Sequence, residues 1–479
     1  MQLEAVIGLE THIELSTKSK MFCSCSTDFG AKPNHHTCPV CLALPGALPV
    51  MNKQTVEYGI KLALALGCSI HSVSRFDRKQ YFYPDLPKGY QISQYEYPAF
   101  TGGTVMLSGD RKINLTRIHI EEDAGKNIHG AGADNHSYVD LNRAGVPLLE
   151  MVTEPEIRTP EEASEFLRRI RQIVRYLRIS DGNMEQGSLR CDANISLRPK
   201  SSGKLGKKVE IKNINSFKHV EKALKFEIKR QRDLILGGGT ITQETRLFNA
   251  HESVTYAMRS KEDSFEYRYF PEPDLPLPNI AEEWIRKVSE TIPELPDEKR
   301  RRFAEQYGIT DYDAGVLTDL SELADYYEAC CKKGRNSAQI AHLISTELLA
   351  ITKKTGMEFS AVKPEYVARI SDLIDENLIS IKIAKQLFPL LFETRDDPDN
   401  IIKTKGLIQI SDSSEIEKII ESILEGNKGN VEKFKAGKTK ILGFFVGQVM
   451  KETKGKANPK LVNRILIEKL SAVSDEFDG

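Results

Sequence analysis

No run of eighteen apolar residues occurs in this 479-residue chain, and its first residues, Met1-Gln2-Leu3-Glu4-Ala5, lack a basic segment followed by an apolar core. The first absence excludes an ordinary membrane-spanning helix. The second leads us to expect no secretion signal and a cytoplasmic protein. The net charge is only −1, so contact with nucleic acid has to come from a local patch. Eight cysteines are too few for a disulfide framework at this length. There is no G-x-G-x-x-G dinucleotide signature, and Gly437-Lys438-Thr439 is not a phosphate loop, because Glu432 stands where the pattern needs glycine. There is no internal repeat and no low-complexity segment. What remains is an ordinary globular composition, 40% hydrophobic and 28% charged, long enough for about three domains.

Several short stretches alternate apolar and polar residues with the period of a β-strand. Residues 7–15 place Glu10, His12 and Glu14 on one face. Residues 189–198 place Arg190, Asp192, Asn194, Ser196 and Arg198 on one face. Residues 117–121 and 208–212 repeat the pattern, the latter with Glu210 and Lys212. Alternate side chains of a strand point to opposite sides, so each run has an apolar and a polar face. A solvated outer face is the plain alternative. Carboxylates, imidazoles, amides and arginines recurring in separate strands instead suit a divalent cation and an anion.

Cys23, Cys25, Cys38 and Cys41 fall within nineteen residues, as C-x-C and C-x-x-C pairs joined by a polar loop. That spacing predicts a closed four-thiolate site for structural Zn2+. His35 and His36 are possible substitutes, but four cysteines already fill a tetrahedron. Cys191 lies on an apolar strand face and is expected in the core.

Residues 1–293 read as α+β. Helices are expected at residues 54–67, ending at Gly67, from Thr159-Pro160-Glu161-Glu162 onward, and over residues 216–236. The second of these carries a stripe of arginines that reads best as a solvated or salt-bridged face. Prolines from Pro271 to Pro296 mark a boundary. Residues 294–405 turn helical, with helices expected at 337–353, 363–376 and 380–388, the last stopped or kinked by Pro389. A second boundary is expected near Gly406. In the segment that follows, residues 431–470 hold ten Lys or Arg against three Glu. Residues 406–479 are therefore expected to form a basic helical tail, with one helix starting at Asn458-Pro459.

Residues 76–94 concentrate phosphate-binding and stacking groups: Lys79 and Lys88, with Tyr81, Tyr83 and Tyr90. A similar mixture runs from Asp263 to Asp274. The string His119-Ile120-Glu121-Glu122-Asp123-Ala124-Gly125-Lys126 is followed by Val139-Asp140-Leu141-Asn142-Arg143 and then Glu150. Together with Val6-Ile7-Gly8-Leu9-Glu10-Thr11-His12, residues 81–94, Glu210-Ile211-Lys212-Asn213 and residues 443–450, these strings closely resemble the B-subunit family of the tRNA-dependent amidotransferases, GatCAB, nearly end to end.

The resemblance implies a glutamine-synthetase-like α+β cradle with a mostly antiparallel sheet (1–293, with a zinc knuckle at 23–41). It also implies an all-α helical domain (294–405) and a small tRNA-contacting tail (406–479). The implied reaction uses ATP to phosphorylate the side-chain carboxylate of glutamate or aspartate misacylated on tRNA(Gln) or tRNA(Asn). Ammonia from a glutaminase A subunit then displaces phosphate, within a heterotrimer that includes a small C subunit. By the same resemblance Glu10, His12, Glu122 and Glu150 take Mg2+. Strict alternation would instead put Glu121 with His119 on the polar face, unless a bulge intervenes. Lys79, Lys88, Arg190 and Asp192 are expected at phosphate or substrate, with Glu210 and Lys212 close behind and Tyr81 and Tyr83 at the nucleotide. No glutaminase machinery occurs in the chain. A tRNA scaffold with its chemistry in a partner is the second reading, and a zinc-bearing nucleic-acid binder the third.

Overall fold

The computed structural model describes residues 2–129, 136–258, 267–407, 413–435, 437–453 and 457–472. The chain divides into two compact units, Met1–Pro296 and Asp297–Gly479. In chain order the strands of the first unit are β1 (Leu3–Glu14), β2 (Ser69–Ile70), β3 (Asp77–Gln80), β4 (Tyr90–Ser93), β5 (Phe100–Thr101), β6 (Thr104–Leu107), β7 (Arg111–Glu122), β8 (Lys126–His129), β9 (Ser137–Asp140), β10 (Pro147–Thr153), β11 (Leu189–Pro199), β12 (Val209–Ile214), β13 (Glu244–Asn249), β14 (Val254–Ala257) and β15 (Phe270–Pro271). Ten of them form one sheet in the order β14-β13-β12-β11-β1-β10-β7-β5-β2, with β6 also on β7. Every pairing is antiparallel except β12 with β13. A smaller sheet, β15-β3-β4, lies against it, because the Ile92 N–H and the Gln91 side chain of β4 bond to Glu122 of β7.

Strand β1 alternates as the sequence requires: Leu9, Thr11 and Ile13 are buried, while Gly8, Glu10, His12 and Glu14 are partly open. The buried side packs with the apolar faces of three helices, α1 (Lys53–Ala65), α2 (Pro160–Tyr176) and α3 (Phe217–Leu236), through residues such as Ile60, Phe166, Ile170 and Leu224. Cys191 is in this core, as expected. Each helix start has its cap. Thr159 accepts the Glu162 N–H with Pro160 at the first helical position, and Ser216 accepts the His219 N–H. Helix α1 ends just before Gly67, whose φ of +67° is the left-handed conformation a β-carbon disfavours. In the arginine stripe of α2, Arg168 lies over the Phe217 ring of α3 at 4.9 Å, so part of it is a packing face.

The second unit is helical among its described residues, with one apolar cluster between Phe303 and Ile402 and another between Ile416 and Leu470. Pro389 does not stop its helix, which runs from Ile381 to Thr394 and ends at the left-handed Arg395. The proline is exposed and the residue four earlier, Lys385, faces solvent too, so its unpaired carbonyl can be hydrated while Phe388, Leu391 and Phe392 anchor the buried side. The helix expected over 337–353 contains a five-residue π turn, Ile344–Leu348. Residues 263–266 of the second tyrosine-rich cluster lie outside the described residues.

Phe166 is fully buried between α2 and the sheet. Phe166→Ala is expected to cost about 3–5 kcal/mol and Thr159→Ala about 1 kcal/mol, read by denaturant unfolding. Equal effects would contradict this view of what holds α2.

Candidate active site

The register of the central strands creates the site. His12 of β1 is the Cα partner of Arg190 on β11 and of Glu150 on β10, and Glu150 is the partner of His119 on β7. One rung across four strands therefore reads Arg190, His12, Glu150, His119. Glu10 pairs with Asp192. His12 Nε2 lies 3.4 Å from Glu150 Oε2 and 3.9 Å from Glu121 Oε1. His119 Nε2 lies 3.4 Å from Glu150 Oε2 and 3.6 Å from Glu121 Oε2. Ligand atoms of His12, Glu121 and Glu150 lie within 4.8 Å of one another, a set able to hold a metal ion.

Glu122 does not join them. The β7–β10 register runs unbroken from Glu122 to Arg117, and its irregularity falls at the other end, between Val152 and Thr153. With no bulge at Glu121 and Glu122, alternation sends Glu122 to the opposite side. There its carboxylate pairs with Lys88 and accepts the Ile92 N–H at 2.9 Å. It lines a separate pocket of about 100 Å³ beside Cys23 and Cys41. Glu10 sits next to the triad: Asn194 Nδ2 donates to its Oε1 at 2.7 Å.

A cavity of about 230 Å³ opens over the rung, and His12, Lys79, Tyr81, Glu121, Arg190 and Asp192 line it. Lys79 arrives on β3 of the small sheet. Lys88, Tyr83, Glu210 and Lys212 are outside this lining. Lys212 Nζ donates to Asp192 Oδ2 at 2.8 Å and lies 3.1 Å from Glu210 Oε1, so the pair supports Asp192 from behind. Tyr83 is half exposed and meets Tyr81 edge-on at 6.0 Å. The Tyr81 hydroxyl donates to Gln91 Oε1 at 3.3 Å.

The sequence reading missed Gln91 and Asp123 in the wall, together with Arg143. Arg190 Nη2 lies 2.7 Å from Asp123 Oδ2 and its Nη1 3.4 Å from Glu14 Oε1. Arg143 reaches Asp123 at 3.5 Å and donates to the carbonyls of Ala124 and Gly125. Adjacent acids followed by Ala-Gly were the available signal, but nothing local ties them to an arginine sixty-seven residues on. Asp140 and Asn142 serve the cysteine loop instead, accepting the N–H groups of Asn34 and His36.

Burial opposes charge throughout the site, and opposite partners overcome it at Asp123, Lys79, Glu150 and His12 but not at Glu10. Burial raises the Asp123 carboxyl, but Arg190 and Arg143 outweigh that and hold it down at about 2. Burial disfavours the Lys79 ammonium, yet Glu121 and Glu150 raise its pKa. Burial, followed by the charge of Glu150, raises Glu10. Burial raises Glu150 in turn, but His119 and His12 pull it well below the ordinary carboxylate range. His12 is raised because Glu150 and Glu121 outweigh burial.

The four cysteine sulfurs lie within 4.8 Å of one another. Cys38 and Cys41 Sγ are 3.9 Å apart, against about 3.8 Å between thiolates around a tetrahedral zinc at 2.3 Å. Neither His35 nor His36 belongs to the set. Lys20 Nζ ties the loop down by donating to the carbonyls of His36 and Leu141 at 2.7 and 3.2 Å.

His119 generates a pH dependence. Burial lowers its pKa, but Glu150 and Glu121 raise it from 6.5 to about 9. A pKa higher in the folded than the unfolded state stabilises fully below pH 6.5 and is lost as pH rises through 9. In magnesium-free buffer, urea midpoints should fall between these limits, and His119→Asn should flatten the fall. An unchanged slope in the variant would contradict the assignment.

Comparison with known proteins adds to this geometry. The family model described as the GatB/GatE catalytic domain matches residues 5–286, and that of the GatB domain matches residues 325–470. The chain is 51% identical to the B subunit of the aspartyl/glutamyl-tRNA(Asn/Gln) amidotransferase of Carboxydothermus hydrogenoformans, over 98% of this chain and 99% of that one. The corresponding B subunit of Thermodesulfovibrio yellowstonii is 51% identical with the same coverage. That of Persephonella marina is 51% identical over 98% of this chain and the whole of its own. A catalytic-domain match over more than half the chain and full-length relatives of this kind lead to one conclusion: the chain belongs to the GatB/GatE family, among the B subunits of aspartyl/glutamyl-tRNA amidotransferases.

Proposed function

We propose that this chain, as a subunit of a glutamine-hydrolysing tRNA-dependent amidotransferase, carries the ATP-dependent step of the reaction in the cavity over β1. The observation that carries this reading is the His12, Glu121 and Glu150 cluster facing a cavity that also presents Lys79 and Arg190. A carboxylate is a poor electrophile. Its oxygen attacks the γ-phosphorus of ATP, ADP leaves, and an acyl phosphate results. Ammonia then attacks the acyl carbon, phosphate leaves, and a proton is lost as the amide forms. Such chemistry asks a protein mainly for positioning and charge.

The donors fit Mg2+ through two buried carboxylates, hard oxygen ligands, with the His12 imidazole beside them. His12, Glu121 and Glu150 would hold it. When bound, Mg2+ would neutralise phosphate charge. Lys79 and Arg190 present cationic groups to the phosphates or the substrate carboxylate. Arg190 is oriented by Asp123 and Glu14, and Asp192 by Lys212. Glu10 shapes the field beside Glu150. Glu122 and Lys88 brace β4 against β7. Tyr81 and Tyr83 offer faces on which a base can stack.

The cysteine set fits structural Zn2+, since four thiolates leave no open position for a substrate. A glutaminase A subunit would supply ammonia and a small C subunit would complete a heterotrimer. The basic residues beyond 406 would meet misacylated tRNA(Gln) or tRNA(Asn), and the helical segment 294–405 precedes them in the chain. No described helix is long and apolar enough to cross a membrane, which accords with work in the cytoplasm.

Single-turnover phosphate release by the reconstituted complex tests the reading. Misacylated tRNA should trigger release from ATP and Mg2+, and Glu121→Gln, which removes a carboxylate of both the metal set and the cavity wall, should reduce it by about a hundredfold or more while tRNA still binds. Unaffected release would make the chain a tRNA scaffold with its chemistry elsewhere. For the knuckle, Cys38→Ser should lower bound zinc per chain and the thermal midpoint together. Stoichiometric zinc retained by the variant would contradict a four-thiolate site.

A further inference from the structure

The substrate class proposed above carries more charge than the side-chain carboxylate. A glutamyl or aspartyl group joined to tRNA through its own carboxyl keeps a free α-ammonium. A cavity built for it has to meet a cation and an anion a few ångströms apart. Three carboxylates line the cavity: Glu121, Asp123 and Asp192. Glu121 belongs to the cluster with His12 and Glu150. Asp123 is taken by two arginines, Arg190 at 2.7 Å and Arg143 at 3.5 Å.

Asp192 differs. Among the described residues its side-chain partner is Lys212, which meets Oδ2 at 2.8 Å, and no donor meets Oδ1. Lys212 is itself shared with Glu210 at 3.1 Å, and the cross-strand partner of Asp192 is Glu10. Two carboxylates thus share one ammonium group, with Glu10 across the strand as a third acid beside Asp192. Arg190 stands two residues back on the same strand face, with Lys79 also in the lining. Positions i and i+2 of a strand are roughly 6.6 Å apart. The α-nitrogen and side-chain carboxylate of an acidic amino acid are roughly 4–5 Å apart from bond lengths alone.

We infer that Asp192 receives the α-ammonium group of the aminoacyl substrate, while its side-chain carboxylate faces Lys79 and Arg190. The inference rests on the functional reading above and deepens it. Asp192 is then a specificity residue: it reads the free amine, and an aminoacyl-tRNA with a blocked or absent amine loses that contact. Lys212 holds the carboxylate in place, without filling its second oxygen.

The test uses the assembled amidotransferase with two substrates, glutamyl-tRNA and the same tRNA carrying the isosteric 2-hydroxyglutaryl group. Amidation is followed in single turnover. Wild type should use the hydroxy analogue about tenfold less well or worse, the effect of losing one charge-assisted hydrogen bond. Asp192→Asn should bring the two substrates to near parity. Each comparison is a ratio within one protein, so partial loss of folded variant cancels, and the wild-type ratio needs no variant. Equal use of both substrates by wild type overturns the inference, as does a tenfold preference kept by Asp192→Asn. A raised magnesium requirement with the preference intact would assign Asp192 to a metal ion and also overturns it. Absence of any ATP-dependent amidation of glutamyl-tRNA by wild type would instead remove the functional reading, and this inference with it.

Discussion

Strand β1 is hydrogen-bonded along both edges, and the site exists because of how those two ladders are registered. Pairing with β11 sets Arg190 and Asp192 beside His12 and Glu10, and pairing with β10 sets Glu150 beside His12. A slip of one residue in either ladder would carry the polar side chains to the helix-covered face and the apolar ones to the cavity. The register is protected from such a slip by the core. Ile7, Leu9 and Ile13 are almost wholly buried between their neighbours, and exposing them would forfeit roughly 2 kcal/mol each. The apolar half of each strand thus fixes where the polar half stands.

The polar half is costly to build. Glu121, Glu150 and His119 are nearly inaccessible to water, and buried charges are tolerated only when they answer one another. The site meets this requirement by placing opposite charges together, with Arg190 beside Asp123, Glu150 beside His12 and His119, and Lys79 of the small sheet answered by Glu121 and Glu150. The resulting cavity is polar and preorganised, with cations and carboxylates already oriented before a substrate enters. That suits a reaction in which charge must be neutralised as phosphate moves, because little reorganisation is then left for the reactive step.

Much of this was legible in the sequence where the signal is local. Period-two alternation located β1, β7, β11 and β12, and Thr159-Pro160 located the start of α2. The four cysteines come together as their spacing suggested, because both pairs sit on one short loop. Long-range geometry was not legible. Gln91 enters the wall because β4 docks on β7, a contact with no trace in either segment alone, whereas Asp123 follows Glu121 by alternation and only its arginine partners lie far along the chain. The placing of Glu122 among the metal ligands required a bulge, and the unbroken ladder at that point leaves alternation in force. Pro389 misled because its effect depends on which side of the helix faces water, and that is decided by the packing of Phe388 and Leu391.

The central claim is that one face of the sheet gathers His12, Glu121 and Glu150 around a divalent cation. Anomalous diffraction from crystals of the assembled complex grown with Mn2+ in place of Mg2+ tests it directly. The account predicts a peak bounded by His12, Glu121 and Glu150, with Glu122 still paired to Lys88. A peak on Glu122, or none on this face of β1, would contradict it.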